Sequence, residues 1–316
     1  MLDDVMRLFR IKAEVYHNAK VCGDWLIQES HLGQTCFHMP TQGSCLLRIP
    51  DQEDQRLNTG DLVIFPQEIP HSMCPNQPCE GPQQHLPYTA DETGTGMICG
   101  RMLFSHDGFK HVLAALPTVM IIRYDESNPW LAPMLRLIIS ESYRDDGTQS
   151  LVLDRLSELI FLFALRHYVE RDSSEHDFSE QGSSDQDLSE QSTAAQSTAE
   201  QHSDKVGLLA LYSDTSLNHA LTAIHRSPSQ HWSVATLAEH CFMSRTRFST
   251  RFKQCSGWTP MQYLTWWRMQ IAWSLLAEGK SIALVAEKVG YLSESAFSNA
   301  FKKVFGLRAG KVKYRR

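Results

Sequence analysis

The chain has 316 residues, of which 42% are hydrophobic, and a net charge of −6 at pH 7. This size and apolar content suit two globular domains, each with its own core. A membrane-spanning helix is excluded, because the longest apolar run, LIFLFAL from Leu159, is far shorter than the ~20 residues that such a helix needs. The first residues, MLDDVMRLFRIK, lack the basic and then apolar order of a secretory signal, so we expect a cytoplasmic protein.

Short apolar or alternating segments bounded by Gly and Pro fill the first third of the chain, among them LRIP, DLVIFP and GMICGRML. This pattern is typical of a β-barrel or β-sandwich. Helical spacing follows in WLAPMLRLIISESY and in residues 151–169. The second of these helices is apolar almost all round at LIFLFAL, so either a partner subunit covers it in a homodimer or its own domain buries it. Both alternatives stay open.

Residues 171–205 are rich in Ser, Gln and acidic residues, with nine Asp and Glu against two Lys and Arg. Such a segment cannot bury enough apolar surface to offset the entropy of ordering it. We therefore predict an acidic, disordered linker between a domain over residues 1–170 and a domain over residues 206–316. A weak competition of its carboxylates with DNA is an alternative to the role of solvated spacer.

Two segments of the last hundred residues share one pattern of helix, turn and helix, over residues 234–254 and 282–304. In each, a short amphipathic helix precedes a turn, and a serine N-cap, Ser244 or Ser293, then opens a second helix. The second segment repeats the first at an offset of 48 residues before the turn and 49 after it. The apolar residues that face inward from the second helices are Phe248, Phe252 and Cys255 and then Phe297, Phe301 and Val304. A helix that begins at Pro260 connects the two motifs.

The outward faces of these second helices are small, polar and cationic. They carry Thr246, Thr250, Lys253, Ser295, Asn299 and Lys302. Charge is segregated as well, because the chain from residue 220 onward holds 15 Lys and Arg against 4 Asp and Glu, a net +11, while the rest carries −17. Hydroxyl and amide groups flanked by cations suit the major groove of DNA, where they bond to base edges and phosphates.

The stretches LAEHCFMSRTRFSTRFKQCSGWTPMQYL, WRMQIAWSLL and IALVAEKVGYLSESAFSNAFKKVFG resemble the AraC/XylS family of transcriptional regulators. The resemblance implies that both recognition helices enter successive major-groove segments of promoter DNA, with RNA polymerase as a further partner and activation favoured. The positions that it assigns to base contacts are Thr246, Ser249, Thr250, Ser295, Ser298 and Asn299, and those that it assigns to phosphates are Arg245, Arg247, Lys253, Lys302 and Lys303. Ala309 and Val312 stand where the family usually has Pro and Tyr, so a less rigid last turn is expected.

The segment TQGSCLLRIP and the following LNTGDLVIFPQEIPHSM resemble the cupin-type sensor domain of many such regulators. The resulting fold class is α+β, with a cupin-like N-terminal domain and an all-α C-terminal domain. Cupin enzymes bind metal through His-x-His, a carboxylate and a later histidine, whereas only His38 and His71 occupy comparable places here. We therefore predict no metal site, no cofactor and no catalytic residue, although Cys74 or Cys79 could complete an opportunistic site. A cupin metalloenzyme with an appended DNA-binding domain is the alternative.

Eight cysteines occur without a Cys-x-x-Cys, which excludes zinc fingers and a disulfide framework and favours free thiols. Cys22 and Cys99 look like positions in a subgroup of cupin-containing regulators that respond to reactive chlorine and related oxidants. Redox sensing and burial as small hydrophobic residues are the two interpretations. Cys74 and Cys79, in CPNQPC, form a second candidate pair. A DNA-architectural protein without any signal input is disfavoured by the size of the N-terminal domain.

Overall fold

The computed structural model describes residues 11–29, 34–67, 69–77, 80–88, 93–104, 107–125, 129–144, 148–180 and 207–312, with side chains of the helix 149–180 described to residue 168. The chain divides into two compact units, one within residues 9–167 and one from residue 168 onward. This division lies close to the predicted domain boundary at residue 170. Each unit has its own core, as the composition predicts.

The first unit is built on ten strands within the described ranges. These are β1 (Lys12–Cys22), β2 (Ile27–Glu29), β3 (Thr35–Gln42), β4 (Ser44–Arg48), β5 (Gln55–Asn58), β6 (Leu62–Phe65), β7 (His71–Pro75), β8 (Gln84–Leu86), β9 (Thr95–Leu103) and β10 (Met120–Ile122). They form a six-stranded sheet in the order β10-β6-β3-β9-β1-β8 and a four-stranded sheet in the order β2-β7-β4-β5, all paired antiparallel. Antiparallel sheets with a shared core confirm the predicted cupin-like architecture.

The sequence of each strand fits its place in a sheet. In β4, Cys45 and Leu47 are fully buried while their neighbours reach toward solvent, which is the alternation of a strand with one covered face. In the central strand β3, residues 35 to 41 are all buried. The core between the sheets includes Phe65, Met73 and Cys99. Side chains of β3, β6, β7 and β9 therefore meet inside this unit.

Three helices belong to or leave this unit: α1 (Lys110–Leu113), α2 (Leu131–Ser142) and α3 (Gln149–Glu180). The carboxylates of Asp154 and Glu158 on α3 accept hydrogen bonds from the backbone of β1, at 2.8 Å from Val15 N and 3.2 Å from Ala13 N. Of the apolar run in α3, Ile160, Phe161, Ala164 and Leu165 are buried within the described chain, whereas Leu159 is exposed. Burial within its own domain therefore accounts for most of this run.

The helix α3 continues to Glu180 and so runs past residue 171, where the linker was predicted to begin. Residues 181–206, which make up the rest of the predicted linker, lie outside the described residues. Among the described helices, none combines the length and the apolar character that a membrane crossing requires.

The second unit is helical throughout its described residues. Its helices are α4 (Leu208–Ser213), α5 (Asn218–Arg226), α6 (Val234–His240), α7 (Arg245–Ser256), α8 (Pro260–Ala277), α9 (Ile282–Lys288) and α10 (Glu294–Phe305). The pairs α6–α7 and α9–α10 are the two predicted helix-turn-helix motifs, and their starts confirm the offsets of 48 and 49 residues. The connecting helix α8 begins at Pro260, after Thr259 and Gln262 close a capping box.

The connecting helix is buried on more than the single stripe that its spacing predicts. Trp266 and Trp267 are both buried although they are adjacent, and Met269 and Ala272 pack in the core of the second motif. A helix enclosed in this way contacts both motifs and fixes them to one support. Beyond α10, Ala309 is buried in a short 3-10 helix and Val312 packs against the same core, while the lower rigidity expected of this turn stays a prediction.

Candidate nucleic-acid interface

The two recognition helices, α7 and α10, are built alike at both ends. The hydroxyl oxygens of Ser244 and Ser293 each accept a hydrogen bond at 3.3 Å from the backbone N–H three residues on. Gly257 and Gly306 end the helices in left-handed conformations, with φ of 74° and 70°. Serine supplies the N-cap and glycine tolerates positive φ, so local sequence alone sets the same start and end for both helices.

The same register fixes the faces of these helices. Phe248 and Phe252 on α7, and Phe297 and Phe301 on α10, are fully buried. All eleven positions assigned to DNA lie on the remaining surface: Ser249 and Ser298 are half-buried, and the exposed ones are Thr246, Thr250, Ser295, Asn299, Arg245, Arg247, Lys253, Lys302 and Lys303. All of these side chains therefore reach the surface at least in part. Four pairs occupy equivalent helix positions at the 49-residue offset, namely Thr246 and Ser295, Ser249 and Ser298, Thr250 and Asn299, and Lys253 and Lys302.

The two sets differ in where their charge lies. Arg245 and Arg247 stand in the first turn of α7, whereas the first turn of α10 carries Glu294 and its last turn carries Lys302 and Lys303. Cations near a helix N-terminus are opposed by the helix dipole by about 0.3–1 kcal/mol each. The arginines of α7 therefore add nothing to the stability of that helix end, which is consistent with a role toward an external anion.

A groove of about 620 Å³ runs beside α10. It is lined by Ile282, Ser298, Asn299, Lys302, Arg308, Ala309, Gly310 and Lys311. Sequence reasoning did not assign Arg308 and Lys311 to the interface, although the basic tail GLRAGKVKYRR was noted. The turn at Ala309 brings these two cations next to Lys302, and a cation cluster beside a recognition helix suits phosphate binding.

Two contacts hold the motifs in a fixed relation within the second unit. Arg268 on α8 donates hydrogen bonds to the carbonyls of Pro228 at 2.7 Å and Gln230 at 2.8 Å, before the first motif, and its guanidinium lies 5.9 Å from the ring of Tyr291 in the second. Gly290, in the turn of the second motif, lies directly against the backbone of Ser229. The two recognition helices are thereby positioned relative to each other as well as to α8.

One cationic side chain of α7, Arg251, forms a structural ion pair within the second unit. Arg251 Nε donates to the buried carboxylate of Asp214 at 2.6 Å, and the Cys255 thiol donates to the same oxygen at 3.2 Å. Burial raises the pKa of Asp214, but hydrogen bonds from Ser216, Arg251 and Cys255 outweigh it, so this pKa lies below its usual value. The carboxylate is therefore ionised at neutral pH and anchors α7 to the start of the unit.

The thiols assigned to redox sensing are both buried. Cys99 is 0% exposed and Cys22 is 8% exposed. Burial, followed by the neighbouring Glu29, Cys45 and Cys36, raises the pKa of the Cys99 thiol well above its ordinary value. A sensing thiol needs thiolate character and access, and in this conformation Cys99 has neither. Cys79 of the second candidate pair lies outside the described residues, and Cys74 is buried.

We expect Cys99 to resist alkylation in the folded chain, because its sulfur is protonated and enclosed. Peptide mass spectrometry after brief iodoacetamide treatment at neutral pH would show Cys99 unmodified in native protein and modified after denaturation. The redox hypothesis predicts instead that Cys99 is accessible. It also predicts that Cys22→Ser or Cys99→Ser abolishes an oxidant-dependent change in promoter activity. Rapid native labelling of Cys99 would contradict the burial argument.

Inside the first unit, His38 and His71 lie together between the two sheets. Their Nε2 atoms are 2.9 Å apart, and the Cys36 sulfur joins them in a group whose donor atoms all lie within 4.8 Å of one another. The thiol in this group is Cys36, whereas the sequence interpretation named Cys74 or Cys79. The spacing Cys36-x-His38 on one strand was the available signal, since alternate residues of a strand share a face.

A two-sheet domain joined to a pair of matched helix-turn-helix motifs with cationic outer faces defines a DNA-binding regulator. Residues 1–170 match the cupin family, and residues 237–315 match a helix-turn-helix domain family. The chain therefore belongs to the cupin family through its N-terminal domain and is a transcriptional regulator of the AraC class, not an enzyme.

Relatives match over nearly the whole chain. An uncharacterized HTH-type transcriptional regulator of Haemophilus influenzae is 29% identical, covering 97% of this chain and 95% of that protein. A putative AraC-like transcription regulator of Streptomyces antibioticus is 26% identical, covering 98% and 96%. RclR of Escherichia coli, an RCS-specific HTH-type transcriptional activator, is 24% identical, covering 99% and 98%. The two-domain organisation is thus shared with regulators of similar length.

Proposed function

We propose that this regulator recognises particular promoter sequences with α7 and α10 together, each in its own major-groove segment on one face of the duplex. The observation that carries the proposal is the equivalence of the two helices: the same serine cap, the same buried phenylalanines and the same terminal glycine place two polar faces on one rigid support. Two recognition elements held in this way read two blocks of sequence separated by about one helical turn of DNA, roughly 10 base pairs.

The side chains divide into two roles. Hydroxyl and amide groups of Thr246, Ser249, Thr250, Ser295, Ser298 and Asn299 bond to base edges. Cations hold the phosphates, and they are Arg245, Arg247, Lys253, Lys302 and Lys303, together with Arg308 and Lys311 of the groove. Asn299 is the residue for which base recognition is most specific, because a carboxamide forms paired hydrogen bonds with adenine. A lysine bound to a phosphate, by contrast, carries no sequence information.

The N-terminal domain senses the signal that controls DNA binding. The protein works in the cytoplasm as an activator that contacts RNA polymerase. Support comes from the Escherichia coli relative, which is named a transcriptional activator and matches 99% of this chain.

We also propose a homodimer, and support for it comes from the helices of the first unit, which leave Leu137, Leu151 and Leu159 exposed by 45% to 57%. Apolar side chains at neighbouring helices are suited to cover one another in a second copy.

Selection from a pool of randomised duplexes with the full-length chain tests the recognition. We expect an enriched site with two blocks, and we expect Asn299→Ala to lower affinity for it by about 1–3 kcal/mol while relaxing base preference in one block only. Lys302→Ala should weaken binding to enriched and random duplexes alike and reduce the salt dependence by about one phosphate contact.

A matched control is Lys12→Ala, which removes an exposed cation from the other unit and should leave both affinities unchanged. Equal losses on enriched and random DNA for Asn299→Ala would refute its role at a base. An enriched site with a single block would refute joint recognition by the two helices.

A further inference from the structure

Three potential ligand atoms converge between the sheets of the first unit. Cys36 and His38 alternate on β3 and so project from one face of the six-stranded sheet, whereas His71 comes from β7 in the other sheet. The His38 and His71 Nε2 atoms are 2.9 Å apart and the Cys36 sulfur completes the group. This group, which we call the CHH cluster, joins the two sheets through polar atoms in the middle of an otherwise apolar core.

The CHH cluster is enclosed and oriented. Its three residues are at most 3% exposed. The His71 ring stacks on Phe65, with centroids 3.9 Å apart, and its Nδ1 donates to the carbonyl of Ile69 at 2.7 Å. Because a carbonyl only accepts, the proton of the neutral ring is on Nδ1 and the Nε2 lone pair points toward His38 and Cys36. Metal-binding histidines are held in the same way, with the far ring nitrogen donating to a carbonyl or carboxylate.

The hydrogen bonds of the two histidines fix where their protons lie. His38 Nδ1 is buried and has no hydrogen-bond partner within the described part of the chain. Among the described residues, the Nε2 atom of His38 contacts the Nε2 atom of His71, and that contact needs the His38 proton on Nε2. The two Nε2 atoms thus share a single proton, and a cation between them would accept both lone pairs in place of that one hydrogen bond.

We propose that the CHH cluster binds one Cu⁺ ion through the Cys36 thiolate and the Nε2 atoms of His38 and His71. Soft thiolate with imidazole is a donor set that selects Cu⁺ and Zn²⁺ over Mg²⁺ and Ca²⁺. On binding, the Cys36 thiol releases its proton to solvent, the His38 proton moves from Nε2 to Nδ1, and the mutual hydrogen bond gives way to two metal–nitrogen bonds. No electron is transferred, because the ion enters and stays as Cu⁺.

Charge and donor number favour the monovalent ion. One thiolate with Cu⁺ is neutral, whereas the same three donors with Zn²⁺ leave a buried positive charge, which is expensive in a low-dielectric core. Zn²⁺ prefers four ligands and would need a water besides the three protein atoms, because Glu29, opposite His71 in the sheet, lies outside the converging group and accepts the Tyr16 hydroxyl at 2.8 Å. With metal–nitrogen bonds of ~2.0 Å and trigonal geometry, the two rings part by only about 0.5 Å.

Anaerobic titration of the reduced, full-length chain with Cu⁺ against bicinchoninate tests the proposal, and it does not depend on DNA recognition because no DNA is present. We expect one tightly held Cu⁺ per chain, and copper X-ray absorption that fits two nitrogens and one sulfur. Cys36→Ser and His71→Gln should each weaken Cu⁺ binding at least ~100-fold. Cys45→Ser, which removes an equally buried thiol outside the cluster, should bind as the wild type does.

Wild-type affinity in Cys36→Ser would overturn the assignment, as would wild-type protein that yields all its copper to the chelator. If the Cys36→Ser variant fails to fold, the absorption spectrum of the wild type decides, since a sulfur-only environment would mean binding by other cysteines. A parallel titration with Zn²⁺ against a zinc chelator completes the design. Tighter retention of Zn²⁺ than of Cu⁺, with four ligands, would overturn the choice of a monovalent ion.

Discussion

Gly290→Ala should lower the free energy of unfolding of the helical unit by roughly 2–5 kcal/mol, the sum of a strained backbone and an overpacked contact. Gly290 has φ of 80°, and a β-carbon there would lie 2.4 Å from the carbonyl oxygen of Ser229. The obstacle is backbone, so no side-chain rotation relieves it. Because this contact sets the second motif against the segment that precedes the first, the variant should also lose affinity for the two-block site.

Gly306→Ala is the matched control, since Gly306 has φ of 70° but an added β-carbon would meet nothing within 4 Å. It carries only the cost of the left-handed conformation, about 1–2 kcal/mol. Urea denaturation followed by tryptophan fluorescence measures both variants, and duplex binding is compared where each is folded. Equal destabilisation by the two alanines would show that the contact of Gly290 with Ser229 does not contribute to the free energy of unfolding.

The two helix-turn-helix motifs of the second unit and the helix between them could be predicted from sequence, because their signals are local, whereas α4 and α5 were not predicted. Serine caps, phenylalanines four residues apart and glycine stops fix α7 and α10 without reference to the rest of the chain. The exposed faces then follow from helix geometry. The ion pair of Arg251 was not predicted, because its partner carboxylate lies 37 residues away in the sequence. The position of Arg308 and Lys311 beside α10 was not predicted either, because it depends on the turn after that helix.

The fold class of the first unit could be predicted from the sequence, but the arrangement of its core could not. Short strands bounded by Gly and Pro predict antiparallel sheets, yet strand order and pairing between sheets are long-range properties. The packing of β3 against β7 across the two sheets therefore could not be read from the sequence, although the Cys36-x-His38 spacing on one strand was a local signal that was missed. Of the two interpretations of Cys99, redox sensing and burial, the sequence could not choose, and its position opposite His38 in the six-stranded sheet encloses it.

Asp214 is the second position where a single substitution should have a large effect. Its side chain is 4% exposed, and one carboxylate oxygen accepts from the backbone of Ser216 at 2.9 Å and Leu217 at 3.2 Å while the other accepts from Arg251 and Cys255. Asp214→Ala leaves two backbone N–H groups and a thiol without their acceptor, so we expect a loss of about 2–4 kcal/mol in the free energy of unfolding. Asp54→Ala, in the exposed pair with Arg48 at 3.0 Å, should change it by less than about 1 kcal/mol.

The stabilisation by Asp214 should depend on pH in a direction that its surroundings fix. Its pKa is lower in the folded chain than in the unfolded chain, because the hydrogen bonds outweigh burial. The stabilisation is therefore complete above the unfolded pKa of about 3.9 and is lost as the pH falls through the lower folded pKa. Denaturation of the wild type and of Asp214→Ala between about pH 7 and pH 3 should show their difference shrinking only below about pH 4. A difference that stays constant down to pH 3, or that grows as the pH falls, would mean that the carboxylate is not the ionised anchor of α7.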